Sequence, residues 1–98
     1  MKVIWTPEAE ADRLKFSEYI AVDNPWAAAR IDELLDEAAK RLVEFPRLGR
    51  IGMIPGTREL IPHRSCRMVY EVRDDGIWIV AVVHTSRRWP PSDLEDNI

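Results

Sequence analysis

Cysteine is almost absent from this 98-residue sequence, which contains it once, at Cys66. A single thiol cannot form a disulfide within the chain, and chains without disulfides are typical of a reducing compartment. Two histidines and one cysteine also lack the paired spacing of a zinc site. The sequence has no glycine-rich phosphate loop either. We therefore expect neither a metal nor another cofactor.

Long apolar runs are absent as well. No stretch approaches the roughly 20 consecutive apolar residues that a membrane-spanning helix needs. The first twenty residues carry charged side chains throughout, from Lys2 to Glu18, which rules out the apolar core of a secretory signal. Together with the missing disulfides, these features predict a cytoplasmic protein.

Lysine is scarce, and all three lysines lie in the first half of the chain. The net charge is −3, whereas a free-standing nucleic-acid binder would normally carry a strong basic excess. The charge is unevenly distributed, because residues 1–44 hold six Lys or Arg against ten acids and residues 45–89 hold eight Arg against four. Arginine makes planar, bidentate contacts with carboxylates and phosphates. The second half is therefore expected to meet the charged partner.

The sequence does contain ample apolar material, at 46% of residues, for one packed domain spanning residues 1–98. Thr6-Pro7 and Asn24-Pro25 each combine a capping side chain with proline at the first helical position, which predicts two helix starts. Pro46 ends the second helix. Because about three residues join the helices, they should run antiparallel.

Strand patterns follow, after a loop predicted over residues 46–57. With a short strand at Lys2 to Trp5, three strands are predicted at Arg58 to Pro62, Cys66 to Arg73 and Ile77 to Val83. The first of these three ends in proline and suits a sheet edge. The predicted fold is α+β: a helical hairpin packed on one face of a mainly antiparallel, four-stranded sheet, in the order β-α-α-β-β-β.

Asp75-Gly76 is a two-residue hairpin signal between the last two strands. In that register Arg67 faces His84 on the face away from the helices, whereas a three-residue loop would place Cys66 opposite His84. The apolar face expected to take the helices comprises Cys66, Met68, Tyr70, Val72, Ile77, Ile79, Ala81 and Val83.

Arg67 and His84, with Arg87, Arg88 and Trp89 just beyond, form the candidate site. Arginines and an imidazole beside an aromatic ring could hold a phosphodiester, stabilise shifting charge and stack a base. The alternative is that these residues have a structural role. Arg67 and Glu71 would then form a row of charged side chains exposed to solvent, and His84 would be a strand-end residue with a satisfied hydrogen bond. Cys66 is interpreted as a core residue. Glu59 is expected to form an ion pair with Arg58.

Several motifs, in this order and at matching spacing, resemble the ParE/RelE superfamily of toxins from bacterial type II toxin–antitoxin systems. The resemblance covers almost the whole chain. The motifs are Thr6-Pro7-Glu8-Ala9, Phe45-Pro46-x-x-Gly49, Gly56-x-Arg58-Glu59-Leu60, Arg67-x-Val69-Tyr70 and His84-x-x-Arg87. The resemblance implies the predicted fold and a growth-inhibiting toxin.

The resemblance also implies two alternative targets. RelE-like members cleave mRNA on the ribosome, and Arg67, His84 and Arg87 would be the catalytic candidates here. ParE-like members poison DNA gyrase. The sequence lacks the lysines that RelE-like toxins carry on the sheet, and Trp89 stands near their terminal Tyr or His, although Trp offers no general acid or base. The ParE-like branch is favoured, with Arg67, His84, Arg87, Arg88 and Trp89 binding the target.

An antitoxin, ParD-like or other, is the partner that the resemblance implies, in a hetero-oligomer with the toxin. Leu14, Trp26 and Trp78 are candidates for its docking surface, because exposed apolar patches usually mark a partner. Core packing is the alternative for each of the three. A third possibility is a non-toxic member that only binds an antitoxin.

Overall fold

The structure, a computed structural model, describes residues 1–91 and contains two helices and one five-stranded sheet. The elements are β1 (Lys2–Trp5), α1 (Pro7–Ala21), α2 (Pro25–Glu44), β2 (Arg50–Ile51), β3 (Arg58–His63), β4 (Cys66–Arg73) and β5 (Gly76–His84). The strand order is β1-β5-β4-β3-β2. β1 runs parallel to β5, and the other neighbours are antiparallel. The predicted α+β fold is confirmed.

One strand was not predicted. β2 lies within the segment expected to be a loop, and it pairs with β3 only at Glu59 and Arg58. β3 is therefore not the edge strand over its first residues. Its other end, which contains Pro62, extends beyond this pairing, where proline's missing N–H costs no ladder hydrogen bond.

Both helices begin where the sequence predicts. The Thr6 hydroxyl accepts a hydrogen bond from the Ala9 N–H at 3.1 Å, and the Asn24 side chain accepts one from the Ala27 N–H, also at 3.1 Å. Each cap satisfies a backbone donor that the helix itself leaves unpaired. α2 ends at Glu44, two residues before Pro46.

Two charged residues interrupt the apolar stripe of α1, and both form contacts to other elements. The Arg13 guanidinium donates two hydrogen bonds to the Asp32 carboxylate, at 2.6 and 3.0 Å, and lies 3.1 Å from Asp36. These bonds, the one to Asp32 first, raise the pKa of Arg13. The Asp12 carboxylate accepts the Val82 N–H at 3.1 Å. Thus α1 is fixed to α2 by Arg13 and to β5 by Asp12.

The register of the β4–β5 hairpin differs from the predicted one. Arg73 pairs with Gly76, so the turn residues are Asp74 and Asp75 rather than Asp75 and Gly76. Gly76 belongs to β5, where a Cβ atom would collide with the Lys2 carbonyl of β1. Glycine is thus required by the close approach of the parallel strand rather than by the turn.

A bulge at Val80 then shifts the pairing by one residue. Beyond it Cys66 pairs with His84 and Arg67 with Val83, so the predicted Arg67–His84 pair is wrong. The bulge also exchanges the two faces of β5, and Val82 rather than Val83 joins the core.

The core lies between the helices and one face of the sheet. Five of the eight residues predicted for that face are fully buried in it: Cys66, Met68, Tyr70, Ile77 and Ile79. Val72 is exposed, contrary to the prediction. Burial raises the pKa of the Cys66 thiol to about 12, as expected for a thiol in apolar surroundings.

Tyr70 explains the Phe45-Pro46-x-x-Gly49 motif. Its hydroxyl donates to the Pro46 carbonyl at 2.8 Å and accepts the Gly49 N–H at 2.9 Å. A buried tyrosine usually finds such partners. The segment after α2 is therefore fixed to the middle of β4.

Candidate functional site

An open cleft of about 1000 Å³ lies between α1, the end of β5 and the segment that follows β5. It brings together four of the five residues predicted to bind the target, namely His84, Arg87, Arg88 and Trp89. The fifth, Arg67, does not line it. The cleft is thus the candidate site, with a composition different from the predicted one.

His84 stands at the base of this cleft, against α1. Its ring lies 5.6 Å from Phe16 and meets Tyr19 edge-on at 6.0 Å. Nδ1 of His84 accepts the Ser86 backbone N–H at 3.0 Å and lies 2.7 Å from the Ser86 hydroxyl. Because a backbone N–H can only donate, Nδ1 is unprotonated and Nε2 carries the proton of the neutral ring. In that arrangement the Nε2 N–H of His84 can donate a hydrogen bond.

Arg67 lies on the other face of the sheet, where it is paired. Its Nε is 3.4 Å from the Glu59 carboxylate, although the N–H is not directed at the oxygen, and its side chain is only 16% exposed. Glu59, 1% exposed, also lies 3.4 Å from Arg50 and accepts the Met53 N–H at 3.0 Å. The buried Nε holds the Arg67 side chain beside Glu59 rather than in the cleft.

The predicted Glu59–Arg58 ion pair is wrong. Arg58 follows the alternation of β3 to the opposite face, and its guanidinium donates to the Gly49 carbonyl at 2.8 Å. Adjacent residues on a strand cannot share a face, so the carboxylate pairs instead with arginines of the two neighbouring strands, β2 and β4. Strand alternation could have indicated this from the sequence.

Lys15 and Tyr19 of α1 were missed as cleft residues. Tyr19 is 69% exposed and lines the cleft with Lys15. Tyr19 lies near the end of α1. Helical spacing alone does not show that the sheet leaves this position uncovered. As residues 1–91 form it, the cleft therefore offers cations and aromatic faces.

Trp89 contributes an aromatic surface rather than acid–base chemistry. Its indole nitrogen is buried and has no hydrogen-bond partner within residues 1–91. An indole N–H donates only. In that same range, no group of three or more His, Cys, Asp or Glu is placed to hold a metal ion. Nor is either helix there long and apolar enough to cross a membrane.

The three residues predicted to dock an antitoxin are not on one surface. Leu14 and Trp26 lie on the helices and are 61% and 85% exposed. Trp78 lies on the face of the sheet away from the helices, half-buried under the Arg73 guanidinium at 4.1 Å, with its indole N–H donating to Asp75 at 2.9 Å. None of the three is in the buried core.

Residues 3–89 match the family model described as the ParE toxin of the type II toxin–antitoxin system parDE. The chain belongs to the ParE toxin family. This ParE-family chain is 33% identical to Y4kP of Sinorhizobium fredii, which is named as a toxin, over 91% of the chain and 93% of that protein. It is 35% identical to the toxin RelE2 of Caulobacter vibrioides, over 88% of the chain and 97% of that protein.

A solved structure agrees. A chain of the chromosomal ParDE toxin–antitoxin system of P. aeruginosa superposes with a TM-score of 0.75 at 26% identity, covering 86% of this chain and 95% of the other. This ParE-family chain is therefore the toxin of a type II system, and its partner is an antitoxin in a hetero-complex. The names of its relatives include both ParE and RelE.

Proposed function

We propose that this ParE-family toxin inhibits growth by poisoning DNA gyrase and that it acts by binding rather than by cleaving RNA. The observation that supports this is the separation of Arg67 from His84 and Arg87. Arg67 is enclosed by Glu59 on the face of the sheet away from the helices, whereas His84 and Arg87 line the cleft beside α1. RNA cleavage by the three together would need them at one phosphodiester.

The cleft supplies the target-binding surface in this proposal. Its exposed aromatic Tyr19 and its arginines are residue types enriched where proteins make strong contacts. The His84 ring supports Tyr19 from below through the edge-on contact at 6.0 Å. This contact between His84 and Tyr19 exists before any target binds.

A supercoiling assay with purified gyrase tests the proposal. We expect the wild-type toxin to block supercoiling and to accumulate cleaved DNA. Arg87→Ala should weaken inhibition by about tenfold, the cost of losing one well-placed arginine contact at an interface. Arg30→Ala removes an exposed arginine of α2 that pairs with Glu33 and Glu37 of the same helix, and this variant should inhibit like the wild type.

The same preparation should be tested on ribosomes by primer extension. The RelE name of one relative makes this the informative comparison. Codon-positioned cuts in mRNA, absent from an Arg67→Ala variant, would establish the nuclease instead. No gyrase inhibition at high toxin excess, alongside toxicity in cells, would also refute the gyrase proposal. A chain that does not slow growth when induced would be a non-toxic member.

We further propose that the antitoxin contacts Leu14, Trp26 and Trp78. Trp78 pairs with Ile4 of β1, and β1 is one of the two edge strands of the sheet. A segment reaching all three side chains would therefore pass from the helical hairpin around the β1 edge to the other face. This path supports an extended antitoxin segment rather than a compact docked domain.

Antitoxin affinity measured by calorimetry tests this path. Trp26→Ala should weaken binding by tenfold or more, because large exposed aromatics dominate such interfaces. Lys40→Ala, an exposed change on the same helix, should not alter it. Equal affinities for wild type and for the Trp26, Leu14 and Trp78 variants would show that the antitoxin binds elsewhere.

A further inference from the structure

Two turns of the same local structure lie at one end of the sheet. His63-Arg64-Ser65 joins β3 to β4, and His84-Thr85-Ser86 follows β5. In each, Nδ1 of the histidine accepts the N–H of the serine two residues on, at 3.1 and 3.0 Å, and lies 2.7 Å from that serine's hydroxyl. Each histidine therefore closes its own turn.

Thr85 joins the two turns. Its backbone N–H donates to the Ser65 carbonyl at 3.0 Å, and its hydroxyl donates to the Arg64 carbonyl at 2.7 Å. Two bonds from one residue fix the relative position of segments about twenty residues apart in sequence. Arg64 and Arg87 are thereby carried on one cross-linked platform at the end of the sheet.

The side chains of Arg64 and Arg87 are exposed, and neither has a hydrogen-bond or ion-pair partner within residues 1–91. Most other arginines of the sheet half are engaged. Arg50 and Arg67 lie against Glu59, Arg58 donates to a carbonyl, and Arg73 contacts Glu71 and Trp78. The platform thus presents two uncommitted guanidinium groups.

Carboxylates are also scarce around this end. Lys15 lines the adjacent cleft, and Asp12, which lines it too, has its carboxylate engaged by the Val82 N–H. Of the four acids in residues 45–89, Asp74 and Asp75 form the turn at the opposite end, Glu59 is buried and Glu71 is paired with Arg73. Within the part of the chain that the structure describes, these carboxylates therefore do not neutralise the positive charge of the platform, although the chain as a whole is negative.

We propose that this platform, through Arg64 and Arg87, binds the phosphate backbone of duplex DNA, so that the toxin touches the DNA on which gyrase acts. The assignment to DNA rests on the proposed gyrase function, since a guanidinium fork fits carboxylates and phosphates alike. Duplex DNA carries a negative charge every 1.7 Å or so along its axis. Backbone contacts position a protein without reading sequence.

Fluorescence anisotropy with a labelled duplex of about 30 base pairs tests this without gyrase, at low and then rising salt. We expect weak, salt-dependent binding by the wild-type toxin. Arg64→Ala with Arg87→Ala should weaken it at least tenfold and lower the salt slope by about two, one for each lost phosphate contact. Arg30→Ala with Arg73→Ala removes the same charge away from the platform and should change affinity less than twofold.

Three results would overturn the inference: no binding at low salt, equal weakening by the two double variants, or tighter binding to single-stranded RNA of the same length. The outcome is separable from that of the gyrase assay. Gyrase inhibition without DNA binding removes the platform's role and leaves the proposed function intact. DNA binding without gyrase inhibition supports the platform and removes the proposed function.

Discussion

Glu59→Ala is expected to lower the free energy of unfolding by about 3–5 kcal/mol, the range typical of removing one partner from a buried ion pair. The Glu59 carboxylate is 1% exposed and contacts Arg67, Arg50 and the Met53 N–H. Without it, the largely buried Arg67 guanidinium has no counter-charge, and the loop at Met53 loses its anchor. Urea unfolding followed by circular dichroism measures the loss.

Glu71→Ala provides the matched control. Glu71 is also a carboxylate on the face away from the helices, but it is half-exposed and pairs with Arg73 at the surface. Its removal should cost less than about 1 kcal/mol. Glu59→Gln keeps an acceptor for the Met53 N–H and should fall between the two. A cost for Glu59→Ala no larger than that for Glu71→Ala would show that Arg67 does not need its partner.

Gly49→Ala is the second change with a large expected effect, a loss of about 2–4 kcal/mol of stability. A Cβ atom at Gly49 would lie 2.7 Å from both the Tyr70 ring and the Glu59 carbonyl. One of these contacts is backbone and cannot rotate away, so the strand must move, and overpacking of this kind is costly. The Gly49 N–H bond to the Tyr70 hydroxyl would be strained as well.

Gly56→Ala separates this steric cost from the cost of backbone conformation. Gly56 has a φ of +85°, but nothing lies within 4 Å of its Cβ position. Its replacement should cost only about 1–2 kcal/mol, from the left-handed conformation alone. Thermal or urea unfolding of both variants gives the comparison. Equal losses at the two glycines would contradict the steric explanation for Gly49.

The helical half of the fold was predictable because its signals are local. A capping side chain followed by proline acts within one turn, and both starts are found where Thr6 and Asn24 place them. The order of the elements and the core face of β4 follow from periodicities of the same short range. β2 was missed because a strand of two residues is too short to show a periodic pattern of apolar side chains.

The β4–β5 register was not predictable, because distant residues decide it. Gly76 looks like a turn glycine, yet the Lys2 carbonyl, more than seventy positions away, accounts for it. Nothing in the apolar run of β5 marks Val80 as a bulge. These two features together move His84 to the helical face and away from Arg67. The cleft therefore brings together four of the five residues predicted for the site, but with neighbours other than those predicted.

The acidic turn Asp74-Asp75 and the platform bearing Arg64 and Arg87 lie at opposite ends of the same strands. Within residues 1–91, charges of opposite sign are therefore separated along the sheet, although the full chain has a net charge of −3. In the field of a polyanion such a molecule is rotated before contact, and its positive end arrives first. This torque fades beyond the Debye length, about 8 Å at physiological salt. The net negative charge can thus repel a polyanion overall, while the separated charges fix the angle at which the protein approaches it.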